Sequence, residues 1–196
     1  MNCIVMAGGR GARMNIKGEK LLLPYKQPII LHVIEALSSS GVLESVRAAV
    51  SRNAPQTAAL LEERGIEIIM TSGSGYSSDL ACALKQSAGG ILIVSGDMPL
   101  LDGGIIRRIV SLYNGRAWTS ILARCDFLKR HDLAGSVQVK YGGVKYFHTG
   151  ISLVNADIIK DEEDVMEHYE IIDDLRVAFS VNTKRDYDML PKLVLH

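Results

Sequence analysis

The sequence predicts a three-layer α/β/α domain built on a Rossmann-like, mostly parallel sheet with a small β insert. Short apolar runs with β-branched character alternate with helix-length amphipathic segments through the first half of the chain. These runs are apolar throughout, as strands covered on both faces are. After Cys125 the rhythm breaks into short alternating stretches around "SVQVKYGGVKYF", which marks the insert.

Taken in order, strands are expected at Cys3–Ala7, Val46–Val50, Ile66–Thr71, Gly90–Ser95, Ser120–Ala123 and Ile151–Val154, each a short apolar run between turn residues. Helices are expected at Ile29–Ser39, Ala54–Arg64, Ser77–Ser87, Gly103–Tyr113 and from Lys184 onward, bounded by Gly, Pro, Ser or Asn. Gly142-Gly143 between β-type residues predicts a hairpin lying across the mouth of the sheet, within an insert over about 126–149. Residues 1–196 read as a single domain with no repeat or linker, since a chain of this length buries one sizeable core. The run "DEEDVMEH" from Asp161 reads as a solvated helix start. Trp118 and Cys125 read as core and His32 as a core or rim histidine, while His131, His168 and His196 lack a metal or triad pattern.

Composition narrows the function classes. Lys+Arg and Asp+Glu are balanced at 22 each, so no global field draws the chain to nucleic acid or a membrane surface, and any anion site is local. Cys3, Cys82 and Cys125 are odd in number and lack C-x-x-C spacing, which points to reduced thiols and a cytoplasmic protein. No apolar stretch has the length of a bilayer span, and Met1–Ala7 is too short for a signal-peptide core.

In open α/β sheets, ligands sit at the carboxyl ends of the strands, and the residues there carry chemistry. The first strand feeds "AGGRGARM", where Ala7, Gly8, Gly9 and Gly11 expose backbone N–H groups beside Arg10, Arg13, Lys17 and Lys20. Bare backbone and nearby cations point to a phosphate ligand. The loop is not a dinucleotide G-x-G-x-x-G, because Met14 stands at the third glycine, and Gly18-Glu19-Lys20-Leu21 lacks the spacing and Ser/Thr of a Walker A loop. In "SGDMPLL", Asp97 is placed to hold Mg²⁺ bridging triphosphate oxygens, with water completing the shell. An aspartate there also serves as a turn former or cap, and the phosphate loop on the same edge favours the metal role. In "TSGSGYSSDL", Gly73 and Gly75 let a nucleobase approach the backbone, Ser72 and Ser74 add hydrogen-bonding groups, and Tyr76 offers a ring face or hydroxyl. The same stretch also reads as a helix-initiating turn capped by Ser77 or Ser78. His148, Thr149 and Gly150 enter a later strand from the insert side and are candidate acceptor-binding residues, His148 reading equally as a strand start.

The pattern A-G-G-x-G-x-R-M followed by Glu19-Lys20 resembles the signature of the nucleotidyltransferase-like superfamily. "TSGSGYSSDL", "IVSGDMPLL", "TGISLVNADII" and "IIDDLRVAFSVNTKRDYDML" follow in an order and spacing similar to the GTP:adenosylcobinamide-phosphate guanylyltransferases of cobalamin biosynthesis, along nearly the whole chain. The chain departs from that family's pattern at Asn15, Leu21 and Ser152. The resemblance implies transfer of GMP from GTP to adenosylcobinamide phosphate with release of pyrophosphate. It implies a phosphate cradle at Gly8, Gly9 and Gly11, Arg13 on the leaving pyrophosphate, Lys20 on the α-phosphate and Asp97 as the Mg²⁺ ligand. Its partners are GTP and a phosphorylated corrinoid acceptor, with homo-oligomerisation left open. The alternatives are a related nucleotidyltransferase acting on molybdopterin, phospholactate or a sugar phosphate, and a non-catalytic nucleotide-binding regulatory module.

Overall fold

Cys3, Ile4 and Val5 are fully buried in β1 (Asn2–Met6) because that strand runs through the middle of the sheet. The computed structural model describes residues 1–9, 14, 18–135, 137–159 and 165–193. The other strands of the main sheet are β4 (Ser45–Ser51), β5 (Glu67–Thr71), β6 (Gly90–Ser95), β7 (Trp118–Arg124), β8 (Gln138–Tyr141), β9 (Val144–Asn155) and β10 (Glu167–Ile171). A ribbon of β2 (Pro24–Tyr25) and β3 (Gln27–Pro28) stands apart. The eight-stranded sheet has the order β10-β7-β9-β6-β1-β4-β5, with β8 paired to β9. The pairings β1 with β4 and β6, β4 with β5, and β7 with β10 are parallel, whereas β9 runs antiparallel to β6, β7 and β8.

Alternate residues of the strands feed two cores. Cys3, Val5, Leu92 and Val94 pack with α1 (Ile29–Ser39) and α4 (Gly103–Val110), and Leu61 of α2 (Pro55–Glu63) joins them. On the opposite face, Ile4, Ile91 and Ile93 pack with Leu80, Ala83 and Leu84 of α3 (Tyr76–Lys85). This gives the layered, mostly parallel architecture that the alternation of apolar runs predicts. Burying the large aliphatic side chains on both faces contributes about 1.5–3 kcal/mol each.

The second half departs further from expectation. The segment after β7 begins with α5 (Cys125–Arg130), a short helix, and the hairpin turn of β8 and β9 falls on Gly142-Gly143, both with positive φ. The strand predicted at Ile151–Val154 extends back to Val144, so β9 belongs to both the hairpin and the central sheet. A bulge lies between Ser120 and Leu122 where β7 meets β9. Gly150 sits opposite it with φ +87°, and a Cβ there would come within 3.1 Å of Ser95 Cβ. A side chain would be strained and crowded at this bend.

Glu167 and His168, predicted in a helix start, lie in β10, which pairs along β7 from Trp118 to Leu122. The edge of β7 was available, and pairing backbone along it outweighs the local preference of acidic residues for a helix terminus. Residues 161–164 of that run lie outside the described residues. The helix predicted to Tyr113 ends at Val110, and the remaining short helices are α6 (Ala156–Ile159), α7 (Leu175–Ala178) and α8 (Lys184–Leu193). His32 is half-buried, with Nε2 2.5 Å from the Tyr25 carbonyl oxygen, the rim histidine expected.

Candidate active site

The first cavity forms where β1 stops. Ala7 N–H still donates to Ala49 O at 2.8 Å, and its methyl group packs in the core, so the loop leaves the sheet at Gly8. Ser51 Oγ at the end of β4 donates to Gly8 O at 2.6 Å, and a Cβ on Gly8 would lie 2.8 Å from Ser51 N. Glycine is therefore required by close approach of two strand ends. Gly9 faces open space. Across the gap, the turn after β5 is held by Asp79 in the first turn of α3, whose carboxylate accepts from Gly73 N at 2.9 Å. Ser72 donates to Ser74 Oγ at 2.8 Å.

These pieces enclose about 540 Å³, walled by Gly8, Gly9, Lys20, Gly73, Ser74, Gly75, Tyr76 and Asp97 among others. Ala7 and Ser72, both expected at the nucleotide, are not on this wall. Gly11 and Arg13, together with Arg10 and Lys17, lie outside the described residues.

Lys20 and Asp97 meet at the floor. Lys20 Nζ donates to Asp97 Oδ2 at 2.5 Å and to Asn182 Oδ1 at 3.3 Å, while Ser95 Oγ donates to Asp97 Oδ1 at 2.7 Å. The side chains of Lys20 and Asp97 are only 13% and 8% exposed, so each charge depends on the other for compensation. Glu19 sets this geometry from the other side. Its carboxylate accepts from Gln56 N at 2.7 Å and Thr57 N at 2.6 Å, satisfying the first turn of α2 and pinning the residue next to Lys20. Tyr76 stands at the rim with about half its surface exposed. Desolvation at its hydroxyl end, with the Asp97 carboxylate second, pushes its pKa up to about 12, so it remains a neutral phenol at physiological pH.

A second cavity of about 520 Å³ adjoins the first and shares Tyr76, Ser95 and Asp97 with it. It lies on the sheet face that α3 covers only in part. Across that face Ile93 pairs with Ser152, Ser152 with Ser120 and Ser120 with Tyr169, so an apolar surface becomes polar as it passes from β6 to β10. Ser120 Oγ donates to Glu167 and receives Trp118 Nε1–H at 2.9 Å. His148, Thr149 and Gly150 line this cavity, although the Thr149 hydroxyl donates to Ile121 O at 2.8 Å. Trp118, expected in the core, is half-buried at the start of β7, where it packs at the margin of the Ile4 core and forms part of the wall. Ser120, Glu167 and Asn182 escaped sequence reasoning. Asn182 lies in "IIDDLRVAFSVNTKRDYDML", a stretch that carries the family resemblance without pointing to this residue, and Glu167 was obscured by its acidic neighbours.

Asp97 and Asn182 direct oxygens at one ammonium, and both border the second cavity. Among the described residues no group of three or more His, Cys, Asp or Glu side chains converges to hold a metal ion. One carboxylate and one amide oxygen nevertheless suit Mg²⁺ bound largely by water and phosphate oxygens.

A glycine-edged cavity at the strand ends, joined at the buried Asp97 that pairs with Lys20 to a second cavity, belongs to a fold of nucleotidyltransferases. A Methanothermobacter nucleotidyl transferase superposes with a TM-score of 0.72 at 19% identity, covering 99% of this chain and 97% of the other. A CMP:2-keto-3-deoxy-manno-octonic acid synthetase complexed with CTP gives 0.70 at 14% identity, covering 100% and 99%. Residues 3–131 match the family described as the MobA-like NTP transferase domain, and the chain belongs to that family. It is thus a nucleotidyltransferase by family. The adenosylcobinamide-phosphate guanylyltransferase of Methanocaldococcus jannaschii is 28% identical over 99% of this chain and 97% of its own length. The bifunctional protein GlmU of Pseudothermotoga lettingae is 32% identical over 64% of this chain, which spans 27% of that protein. No helix among the described residues is long and apolar enough to cross a membrane.

Proposed function

We propose that the chain transfers GMP from GTP to adenosylcobinamide phosphate, forming adenosylcobinamide-GDP and pyrophosphate in the assembly of cobalamin. The observation that carries the reading is the meeting of two cavities at the Lys20–Asp97 pair, with glycine backbone on one side and a roomy polar face on the other. The likeness to the M. jannaschii guanylyltransferase over nearly both full lengths supports the choice of substrates.

An acceptor phosphate oxygen attacks the α-phosphorus in line, a new P–O bond forms, and the bond to the pyrophosphate oxygen breaks. The acceptor phosphate is already ionised, so no general base is needed, and the protein's task is positioning and charge stabilisation. Gly8, Gly9 and Gly11 cradle phosphates through their backbone. Arg13 meets the leaving pyrophosphate and Lys20 the charge growing at the α-phosphate. The guanine lies along Gly73–Tyr76, and Asp79 fixes that turn. His148, Thr149 and Gly150 border the acceptor. Asp97, with Asn182, would hold Mg²⁺, which when bound neutralises triphosphate oxygens and the developing pyrophosphate charge. The reading places the enzyme in the cytoplasm, working on small molecules rather than nucleic acid.

The test is mass-spectrometric detection of adenosylcobinamide-GDP after incubation with GTP, Mg²⁺ and adenosylcobinamide phosphate. Panels of acceptors and of GTP, ITP and ATP, followed by pyrophosphate release, locate the specificity. Strong preference for GTP over ATP is expected, because ATP reverses the hydrogen-bond pattern at position 6 and leaves polar groups unpaired. Equal use of the two would remove the guanylyltransferase reading.

A further inference from the structure

The second cavity has an unusual charge makeup for a place that receives a phosphorylated molecule. Its described lining includes the carboxylates Asp97 and Glu167 and no lysine or arginine. Asp97 already faces Lys20 at the junction. Glu167 lies on β10, its side chain 34% exposed. Ser120 donates to Oε1 and Tyr169 donates to Oε2 at 3.0 Å, so the carboxylate is held by two hydroxyl groups. A carboxylate has about four lone-pair positions, and these hydroxyls fill one on each oxygen. His148 Nδ1 lies 3.8 Å from Oε1. What remains is a fixed negative group with unused acceptor capacity.

We propose that Glu167 is a specificity-determining residue. It selects acceptors whose body beyond the single phosphate offers neutral hydrogen-bond donors, such as amide N–H or hydroxyl groups, and rejects acceptors with a second anionic group. The proposal rests on the reading of this cavity as the acceptor's. A donor reaching Glu167 adds to its hydrogen bonding, whereas a carboxylate placed there meets like charge, with no lysine or arginine among the described lining residues to offset it. Tyr169 and Ser120 act as positioning residues, since they orient the carboxylate and leave its free lone pairs facing the cavity.

The test titrates two small phosphates, followed by NMR, into the protein saturated with Mg²⁺ and α,β-methylene GTP. N-acetyl-O-phosphoethanolamine carries a phosphate and a neutral amide; O-phosphoglycolate carries a phosphate and a carboxylate. The wild-type chain is expected to bind the amide compound about tenfold more tightly, and Glu167→Gln to reduce that ratio to about twofold or less. Affinity for the GTP analogue should be unchanged in the variant, which also reports that it is folded. Tyr169→Phe keeps the charge and loosens its orientation, so it should weaken the amide compound while rejection of phosphoglycolate persists. A wild-type ratio in Glu167→Gln, a wild-type chain that takes phosphoglycolate equally well, or failure of both compounds to bind at millimolar concentration would each overturn the proposal. If Glu167→Gln does not fold, the wild-type ratio and Tyr169→Phe decide. Adenosylcobinamide-GDP formation by the wild-type chain is measured separately. Its absence beside a charge-dependent ratio removes the corrinoid but keeps Glu167, and its presence beside an unchanged ratio does the reverse.

Discussion

The cavity edged by Gly8 and Gly9 and the cavity over Ser120 and Ser152 share three residues, yet they are made by different means. The first is a set of loops at the ends of parallel strands, where missing side chains let a ligand reach backbone N–H groups. The second is the face of the sheet itself, where the antiparallel β9 brings Ser152 beside Ser120 and the edge strand β10 adds Glu167. In the proposed function, backbone, which cannot vary with sequence, meets the phosphate chain common to every nucleotide. Side chains, which can change without disturbing the first cavity, meet the variable partner. This division predicts that variants should separate nucleotide effects from acceptor effects everywhere except at the junction.

The largest effect belongs to that junction. Asp97→Asn keeps the shape of the carboxylate and loses its charge, and should lower turnover by about 10²–10³-fold, the range seen when one preorganised electrostatic group is removed. Pyrophosphate release at saturating Mg²⁺ measures it, with GTP affinity much less changed. The same variant leaves the Lys20 ammonium buried without its partner, so its thermal midpoint without ligand should fall as well. A variant with near-normal rate would detach the junction from the chemistry.

Lys20→Ala should come next. In the proposed role its contact strengthens as charge gathers around the α-phosphate, so kcat is expected to fall by roughly 10–100-fold and GTP affinity by only a few-fold. Steady-state kinetics beside calorimetry distinguishes this from a pure binding defect, which would assign Lys20 to the nucleotide half alone. Gly9→Asp tests that half directly. Its Cβ meets nothing within 4 Å, so the fold should survive while negative charge weakens GTP about tenfold or more. Binding of small acceptor phosphates in its absence should not move. Gly8 is the poorer probe, because any side chain there strikes Ser51.

The smallest effect lies outside both cavities. Arg176 bridges Asp174 at 2.6 Å and Asp102 at 2.8 Å, and its hydrogen bond holds the Asp174 carboxyl below the usual range. A depressed folded pKa contributes stability that is present above the unfolded value and disappears as pH falls through the folded one. Arg176→Met should therefore cost up to about 1 kcal/mol in urea unfolding from neutral pH down to the ordinary carboxylate pKa, with the gap closing at more acidic pH. Neither substrate's affinity should change. An altered acceptor KM would mean that the two halves are coupled through α4 and α7.

How much of this was legible in the sequence follows the same division. Gly8, Gly9, Gly73, Gly75, Tyr76 and Asp97 stand directly after apolar runs, so reading the runs as strands places them on one edge, and the structure brings them to one cavity. Ser120, Ser152 and Glu167 lie within strands, and their meeting depends on the strand order and on the direction of β9, which local pattern does not encode. Glu167 was further obscured by the acidic residues before it, whose helix-start character gave way to pairing with β7. Asn182 reaches Lys20 from 162 positions away, a separation no local motif spans.

Helix α2 offers its N-terminus to the first cavity's neighbourhood, the kind of end that ordinarily attracts a phosphate. Here Glu19 from the same chain already occupies it, through Gln56 and Thr57. The consequence concerns timing. The residue before Lys20 is moored before any nucleotide arrives, so binding need not order that stretch of chain. Inorganic phosphate in the medium also finds no vacant berth at that helix end.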